Sequence, residues 1–295
     1  IRLDRADTVV TATKALEVDS RIENVQTRAL IPSGHKVATL AMKAGEPVRK
    51  YAQLIGYALV DIEAGDHVHT HNVEFRNTDT EYEFSTDLRP VAPAKTRDTF
   101  MGYRRENGRV GTRNYIAIVT SVNCSATAAR MIADHFTPER LAQFPNVDGV
   151  AAFVHGTGCG MAGDGDGFEA LQRVMWGYAK HPNHAGVLMV GLGCEMNQID
   201  WLLEAYGLKQ GPTFQTMNIQ NVAGLRRTVN LGIAKIEAML PIANEATRTE
   251  CPASELMVAL QCGGSDAWSG VTANPALGYA CDLLTMQGAT GVLAE

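Results

Sequence analysis

Three of the eight histidines in this 295-residue chain lie within five positions, in the stretch GDHVHTHNV at residues 65–73. Alternate side chains of a β-strand share one face, so a strand here would place His67, His69 and His71 side by side. Imidazole binds Zn, Fe, Cu and Ni, and it also accepts a proton near neutral pH. The stretch therefore predicts a metal site, a catalytic base or a polar strand edge without a chemical role.

Four of the six cysteines follow apolar segments that read as strands, in the turns TSVNCS, VHGTGCG, GLGCE and QCGGSD. Ligands of an open parallel sheet bind at the carboxyl ends of its strands, so we expect these turns to form one functional rim. Free cysteine is also among the most buried residue types, and packing alone is the alternative. The rim residues would be Cys124, Cys159, Cys194, Cys262, His155, Glu195 and Asp266.

Strand-like and helix-like segments alternate from about residue 101 to the end of the chain. The predicted strands are 115–122, 147–155, 185–193, 211–219, 255–262 and 290–295, and the predicted helices are 125–136, 167–181, 197–207, 224–244 and 275–287. This alternation predicts an α/β fold, a Rossmann-like domain with a parallel sheet, over residues 101–295.

Residues 1–76 show a different pattern, in which short strand-like segments are separated by turn residues about every ten positions. This spacing indicates a small, mainly β domain. Residues 77–100 are polar, contain two prolines and show no apolar period, and we interpret them as a linker.

Composition excludes several classes of protein. The net charge is −6 and no Lys/Arg-rich run occurs, so nucleic acid is not an expected partner. No apolar run approaches the roughly 18 residues that span a bilayer, so we expect no membrane contact. The cysteines form no Cys-x-x-Cys pair and the N-terminus has no secretory signal, which favours a reducing, cytoplasmic location over a disulfide framework.

Several longer stretches carry a resemblance to a known family. They are IPSGHKVA, YAQLIGYALVDIEAGDHVHTHNV, GYRRENGRVGTRNY, NVDGV, HGTGCG, VGLGCE and CPASELMVALQCGGSDAWSGVTANPALGYACDLL, between about residue 30 and residue 287. Together they resemble the altronate/galactarate dehydratase family of sugar-acid dehydratases. The resemblance implies a SAF-type β-clip domain followed by a larger α/β domain, and loss of water from an aldonate or aldarate. It also implies Fe²⁺, mononuclear or in an iron–sulfur cluster, or another divalent metal.

The resemblance leaves the substrate open. VHTHN resembles the altronate enzymes, the long final stretch is closer to the galactarate enzymes, and sulfolactate sulfo-lyases share the two-part layout. Family chains continue well beyond residue 295, which implies a fragment or one part of a split member, lacking a C-terminal half or a second subunit. A sugar acid is the expected partner, a homodimer stays open, and a non-catalytic sugar-acid-binding fragment is the competing class.

Dehydration of a sugar acid requires a base for the α-proton, stabilisation of the enediolate and an acid for the β-hydroxyl. The family motif covers His69 and His71, which we assign as metal ligands with substrate binding as the alternative. Cys124, Cys159, Cys194 and Cys262 are alternative or additional iron ligands. The catalytic candidates are His35 as the base with Lys36 beside it, His155 and Asp266. The substrate-binding candidates are Arg113 and Asn114 as a carboxylate and hydroxyl clamp, Ser265 and Glu195.

Overall fold

The computed structural model describes residues 1–77, 83, 84, 86, 88–222, 224–261, 263, 264 and 268–294. Contacts divide the chain into two units, and each is described by itself. The first unit comprises Ile1–Pro93, Val258–Met286 and Gly291–Glu295, and the second comprises Ala94–Met257 and Gln287–Thr290. None of the helices in the described ranges has the length and apolar character needed to cross a membrane.

Eight short strands form the N-terminal part of the first unit. They are β1 (Val9–Thr11), β2 (Arg21–Ile22), β3 (Val25–Gln26), β4 (Lys36–Ala38), β5 (Pro47–Lys50), β6 (Gln53–Ala58), β7 (His67–Val68) and β8 (Val73–Glu74). They pair antiparallel in the orders β1-β4-β7, β5-β6-β8 and β2-β3. The predicted small, mainly β domain is therefore confirmed.

The neighbouring residues Val9 and Val10 of β1 belong to two different apolar clusters, because successive side chains of a strand point to opposite faces. Val9 packs with Ala38 and Val68, and Val10 packs with Val37. This double burial holds β4 beside β1 and β7 beside β4, and it thereby fixes the positions of the histidines at the start of β7 and just before β4.

The second unit contains, in chain order, β9 (Thr99–Arg104), β10 (Val110–Gly111), β11 (Tyr115–Thr120), α1 (Ala126–Asp134), α2 (Pro138–Leu141), β12 (Gly149–Phe153), α3 (Asp166–Ala179), β13 (His184–Gly191), α4 (Ile199–Ala205), β14 (Phe214–Asn218), α5 (Ile219–Val222), α6 (Leu225–Asn244) and β15 (Thr249–Pro252). The four central strands are parallel in the order β12-β11-β13-β14. The predicted α/β fold class is confirmed.

The sheet of the second unit is covered on both faces. Ile116 and Ile118 of β11 pack in a cluster with residues of α1 and α6, whereas Ala117 and Val119 pack with residues of α3 and α4. A parallel sheet covered on both faces needs strands that are apolar throughout, and the stretch YIAIVT has this character.

A second sheet of this unit was not predicted. β9 pairs antiparallel with β10 and with β15, so residues near 100 meet residues near 250. β9 begins at Thr99, one residue before the end of the segment interpreted as a linker. Cys251 of β15 is fully buried, so its thiol packs inside this unit.

The final elements are β16 (Met257–Gln261), α7 (Ala273–Met286) and β17 (Thr290–Ala294), which agree with the predicted strand, helix and strand. β16 and β17 form a separate two-stranded sheet. All five residues of β17 are exposed, and none of the described residues of α7 is buried.

Candidate functional site

Four histidines of the first unit lie together. His35 precedes β4, and β4 pairs with β7 so that Val37 is opposite His67. Nδ1 of His35 is 2.8 Å from Nε2 of His67, a hydrogen bond in which one ring donates and the other accepts. The ring centroids of His35 and His69 are 4.8 Å apart with the rings nearly parallel, and those of His67 and His71 are 5.4 Å apart. These four residues are named the histidine cluster below.

The predicted strand through all three histidines of GDHVHTHNV is wrong, because β7 ends at Val68. Asn72 ends it: its side chain accepts a hydrogen bond from the His69 amide (3.0 Å) and donates one to the His67 carbonyl (2.9 Å). The amides of Asn72 and Val73 also donate to the His69 carbonyl. The chain therefore turns at His69, and the turn still leaves His69 and His71 beside His67.

Burial and neighbouring cationic groups favour the neutral imidazole at two positions of the cluster. Burial is the largest cause that lowers the pKa of His67, followed by His35, His71, His69 and Lys36. Burial also lowers the pKa of His69, with His35 and Lys36 as further causes. Lys36 is half-buried, and burial followed by Lys50 lowers its own pKa. Neutral imidazole is the form that accepts a proton or binds a metal.

Three thiols of the second unit lie at the carboxyl ends of adjacent strands. Cys124, Cys159 and Cys194 follow β11, β12 and β13, and all three are exposed free cysteines. The pKa of the Cys124 thiol is raised, first by lost hydration and then by the neighbouring thiols of Cys159 and Cys194. The structure thus brings these three predicted rim residues together, and we call them the thiol group.

Tight backbone contacts between loops bring the thiols together. The Asn123 amide donates to the Thr157 carbonyl at 2.8 Å. Gly158 has φ of +97°, and a Cβ atom there would lie 2.6 Å from the Ser121 carbonyl oxygen. Only glycine allows this approach, so the loops that carry Cys124 and Cys159 are packed against each other.

Ser121 and Glu195 form a buried pair beneath the thiol group. Ser121 Oγ donates to Glu195 Oε1 at 2.5 Å, and the two residues are 0% and 3% exposed. The Leu192 amide donates to Oε1 at 3.2 Å and the Gly193 amide to Oε2 at 2.6 Å. Both carboxylate oxygens therefore bind the loop that follows β13, whereas the sequence had suggested a substrate contact for Glu195.

Two asparagine side chains beside this pair have buried oxygens without hydrogen-bond partners. Asn197 is fully buried, and its Nδ2 donates to the Ser121 carbonyl at 3.3 Å. Asn197 Oδ1 and Asn218 Oδ1 have no partner within the described structure. A Cβ atom on Gly191 would contact Asn218 Oδ1, Glu195 Oε1 and Ser121 Oγ, so three oxygens meet above this glycine.

The predicted clamp residues Arg113 and Asn114 lie at the opposite end of β11 from Cys124. Asn114 is fully buried, and its Nδ2 donates to the carbonyls of Asn146 and Ala243, both at 2.8 Å. Arg113 is exposed, and its backbone bonds to Asn183 and Arg105. The structure does not bring this pair to the thiol group, and it uses the Asn114 amide to join chain segments.

Both ring nitrogens of His155 are engaged in hydrogen bonds. Nε2 donates to the Thr120 carbonyl at 2.9 Å, and Nδ1 accepts from the Thr157 amide at 3.3 Å. Because a carbonyl can only accept a hydrogen bond, the proton of the neutral His155 ring lies on Nε2. Nδ1 would have to lose its hydrogen bond from the Thr157 amide before it could accept a proton. Cys262, Ser265 and Asp266 lie outside the described residues.

The donor sets of both groups suit a metal, since neutral imidazole and thiolate both bind iron. As they stand, no three His, Cys, Asp or Glu side chains in the described ranges form a group that could hold a metal ion. The His35–His67 hydrogen bond occupies one imidazole lone pair. The three thiols are free and exposed.

Sequence reasoning missed two features of these sites. His67 was the least favoured of the three clustered histidines, and its contact with His35 joins positions 32 residues apart. Ser121 was not singled out, although it stands in TSVNCS, three residues before Cys124. Its position at the end of a buried strand is the signal that could have identified it.

Family models cover most of the chain. The altronate/galactarate dehydratase SAF domain matches residues 1–76, the second domain of D-galactarate dehydratase/altronate hydrolase matches 102–244, and the C-terminal domain of D-galactarate/altronate dehydratase matches 253–295.

Curated relatives agree with these models. Altronate dehydratase of Bacillus subtilis (strain 168) is 33% identical over the whole chain, and altronate dehydratase of Escherichia coli (strain K12) is 35% identical over the whole chain. Galactarate dehydratase (L-threo-forming) of Escherichia coli is 37% identical over 90% of the chain. The chain spans 59%, 59% and 52% of the length of these relatives. The chain belongs to the altronate/galactarate dehydratase family.

Proposed function

We propose that this protein is a hydro-lyase that removes water from altronate or galactarate and yields a 2-keto-3-deoxy sugar acid. The histidine cluster is the structural observation that supports this proposal most directly. It supplies imidazoles from four chain positions within the part that matches the SAF model. Family membership and the names of the relatives support the reaction class and leave the choice between the two substrates to experiment.

His35 is the proposed base. The proton α to a carboxylate is weakly acidic, and a neutral imidazole near hydrogen-bond distance is a suitable acceptor. The hydrogen bond to His67 fixes the orientation of the His35 ring. Lys36, whose pKa is lowered by burial, lies beside the cluster and would bind the substrate carboxylate.

A divalent metal, Fe²⁺ by family, is proposed as the cofactor. When bound, it supplies a positive charge that stabilises the enediolate formed on loss of the α-proton. His69 and His71 would hold it in the first unit, because His35 and His67 bind each other. Cys124, Cys159 and Cys194 are the alternative holders in the second unit, and their exposed free thiols fit a reducing, cytoplasmic location.

Two alternatives have less support. A C–S lyase acting on sulfolactate shares the domain layout, but the two relatives that align along the whole chain are altronate dehydratases. The second alternative is a non-catalytic sugar-acid-binding protein, whereas the relatives that align along the whole chain are named as dehydratases. A homodimer or a second subunit remains compatible with the proposal.

Exchange of the substrate α-proton with solvent tests the proposed function. The full chain, loaded with Fe²⁺, is incubated in D₂O with altronate and separately with galactarate, and exchange is followed by proton NMR. We expect exchange with one substrate and a loss of at least about 100-fold in His35→Ala. The control is His135→Ala, which removes a histidine of the second unit that bonds to Arg140. Unchanged exchange in His35→Ala would remove His35 as the base.

A further inference from the structure

The histidine cluster depends on a short loop that joins two different sheets of the first unit. β7, which begins at His67, belongs to the sheet β1-β4-β7, whereas β8 belongs to the sheet β5-β6-β8. Residues 69–72 connect the two strands. Because this loop carries His69 and His71 and directly follows the strand of His67, its conformation decides where three of the four imidazoles of the cluster lie.

Asn72 ends this loop, and both its side chain and its backbone form hydrogen bonds that hold the loop. The side chain accepts from the His69 amide at 3.0 Å and donates to the His67 carbonyl at 2.9 Å. The Asn72 amide donates to the His69 carbonyl at 3.1 Å, and the Asn72 carbonyl accepts from the Leu59 amide at 3.0 Å. The first three bonds close the loop on itself, and the fourth attaches it to the segment that follows β6.

The bonds of Asn72 are shielded from water. Asn72 is 6% exposed, and Val68 and Val73, on the two strands that the loop joins, pack in one apolar cluster. A side chain that could not form these bonds would leave the His67 carbonyl and the His69 amide without this partner. Because buried polar groups without partners are costly, the loop would move to satisfy them elsewhere.

The bond from Asn72 to His67 reaches the proposed base through the His67 ring. Asn72 Nδ2 donates to the His67 carbonyl, and Nε2 of the same histidine lies 2.8 Å from Nδ1 of His35. A hydrogen bond between two rings weakens steeply when its angle departs from linearity. A shift of the His67 backbone would therefore change the orientation of the His35 ring.

We infer that Asn72 is a positioning residue, which holds the imidazole of His67 against His35 and thereby orients the base of the proposed reaction. Its part in catalysis rests on the proposed function, in which His35 accepts the α-proton. Asn72 acts through His67, because the polar atoms of its side chain bond to the backbone of the loop. Support of this kind, from bonds behind the reacting side chain, is what holds a base in productive geometry.

NMR of the imidazole rings tests this inference without substrate or metal. The full chain, labelled with ¹⁵N at its histidines, is measured at neutral pH by long-range proton–nitrogen correlation. We expect a downfield signal from the proton shared by His35 and His67, protected from exchange with water, and His67→Ala assigns it by removing it. In Asn72→Ala this signal should be lost, because the His67 backbone is no longer held.

Exchange of the substrate α-proton is the second readout. Asn72→Ala should lower kcat for exchange about 10- to 100-fold, the size of effect that a small misplacement of a catalytic group produces. KM should change little, because Lys36, the proposed carboxylate partner, lies on β4 and not on the loop. Asn24→Ala is the matched control and should leave both readouts unchanged, because it removes an exposed asparagine side chain between β2 and β3 of the same unit.

The two readouts separate the inference from the proposed function. Loss of the shared-proton signal together with a lower kcat in Asn72→Ala would support the inference. An unchanged signal would overturn it, and a lost signal with an unchanged kcat would overturn its catalytic part. No α-proton exchange in the unaltered chain would overturn the proposed function, while the NMR comparison would still decide whether Asn72 holds the pair of rings.

Asn72→Asp keeps the inference testable if Asn72→Ala does not fold. Aspartate has nearly the same shape and can accept from the His69 amide, but its carboxylate cannot donate to the His67 carbonyl. We expect it to lose the shared-proton signal and to lower kcat. Retention of both in Asn72→Asp would overturn the inference.

Discussion

The imidazole of His184 lies at the start of β13, next to His181 and Phe153. Its Nδ1 donates to the Tyr178 carbonyl at 2.7 Å. Burial lowers the pKa of His184 to about 4, the Tyr178 carbonyl opposes this shift, and His181 and Arg105 add to it. The neutral ring is therefore the form that the folded protein accommodates.

The pKa of His184 predicts a pH dependence of stability. Between about pH 6.5 and about pH 4 the unfolded chain binds this proton and the folded chain does not, so the free energy of unfolding falls as the pH falls. We expect a loss on the order of 1–2 kcal/mol from this residue, after allowance for solvent screening. Denaturant unfolding at about pH 7 and about pH 4.5 measures it.

His184→Asn is the matched control for this pH dependence. Asparagine Nδ2 can donate to the Tyr178 carbonyl as histidine Nδ1 does, but it does not titrate. The variant should therefore lose less stability than the unaltered chain over the same pH range. Equal losses in the two proteins would contradict the assignment to His184.

Gly191 lies where an added methyl group would collide with three side-chain oxygen atoms. A Cβ atom there would contact Asn218 Oδ1, Glu195 Oε1 and Ser121 Oγ, and Ser121 and Glu195 are buried residues. Gly191→Ala should therefore lower the free energy of unfolding by about 1–3 kcal/mol, the usual cost of overpacking. Chemical denaturation at neutral pH gives the value.

Gly186, on the same strand, is the control for Gly191. The nearest atom to a Cβ there is Sδ of Met239 at 3.2 Å, at the end of a flexible side chain. Gly186→Ala should cost less than about 1 kcal/mol. A similar loss in both variants would mean that strand conformation, not the three oxygens, limits these positions.

The sequence alone predicts the positions and contacts of some of these residues but not of others. Cys124, Cys159 and Cys194 were predicted to lie together because apolar runs mark the strand ends that carry them. The contact of His35 with His67 depends on the pairing of β4 with β7, which local pattern does not specify. Glu195 follows a glycine-rich turn, and from the sequence we expected it to bind substrate. The structure shows instead that the backbone amides of this turn donate hydrogen bonds to its carboxylate.

At the scale of elements, two glycines within helices predict opposite effects of the same substitution. Gly232 of α6 faces α1, and a Cβ atom there would contact Cδ1 and Cγ1 of Ile132, which is fully buried. Gly232→Ala should lower the free energy of unfolding by about 1–3 kcal/mol. A Cβ atom on Gly177 of α3 would meet no atom within 4 Å outside the backbone of its own helix and its chain neighbours, so Gly177→Ala should raise the free energy of unfolding by about 0.5–1 kcal/mol.

Thermal unfolding of the two helix variants and the unaltered chain measures both effects. Because helix propensity favours alanine equally at the two positions, the difference between the variants isolates the packing of α1 against α6. Stabilisation by Gly232→Ala would show that the two helices can move apart at little cost.

Local pattern was sufficient for elements that bury one continuous apolar stretch. The strands β11, β12, β13 and β14 and the helices α1, α3, α4 and α6 agree with prediction to within a few residues. Local pattern did not predict β9, because this strand is formed by pairing with β15, which follows it by about 150 residues in the chain. It failed also at β7, where a single Asn72 side chain turns the chain.

At the scale of the whole molecule, the proposed iron has two candidate locations, the histidine cluster and the thiol group, and content measurements distinguish them. After anaerobic purification we expect iron in the full chain. If the thiol group holds it, a Cys124→Ser/Cys159→Ser variant should lose the iron and His69→Ala/His71→Ala should keep it. If the histidine cluster holds it, the pattern should reverse. Acid-labile sulfide distinguishes an iron–sulfur cluster from a mononuclear site.

The strand order β12-β11-β13-β14 has a consequence for synthesis of the chain on the ribosome. β11 is the first strand of its sheet to be made, yet its second partner, β13, ends at Gly191, well after Thr120 has been added. At about 5–20 residues per second, roughly 4–14 seconds pass before that partner is complete. During this interval the apolar strand YIAIVT has an unpaired edge, so production in cells should be sensitive to the supply of chaperones that shield such edges.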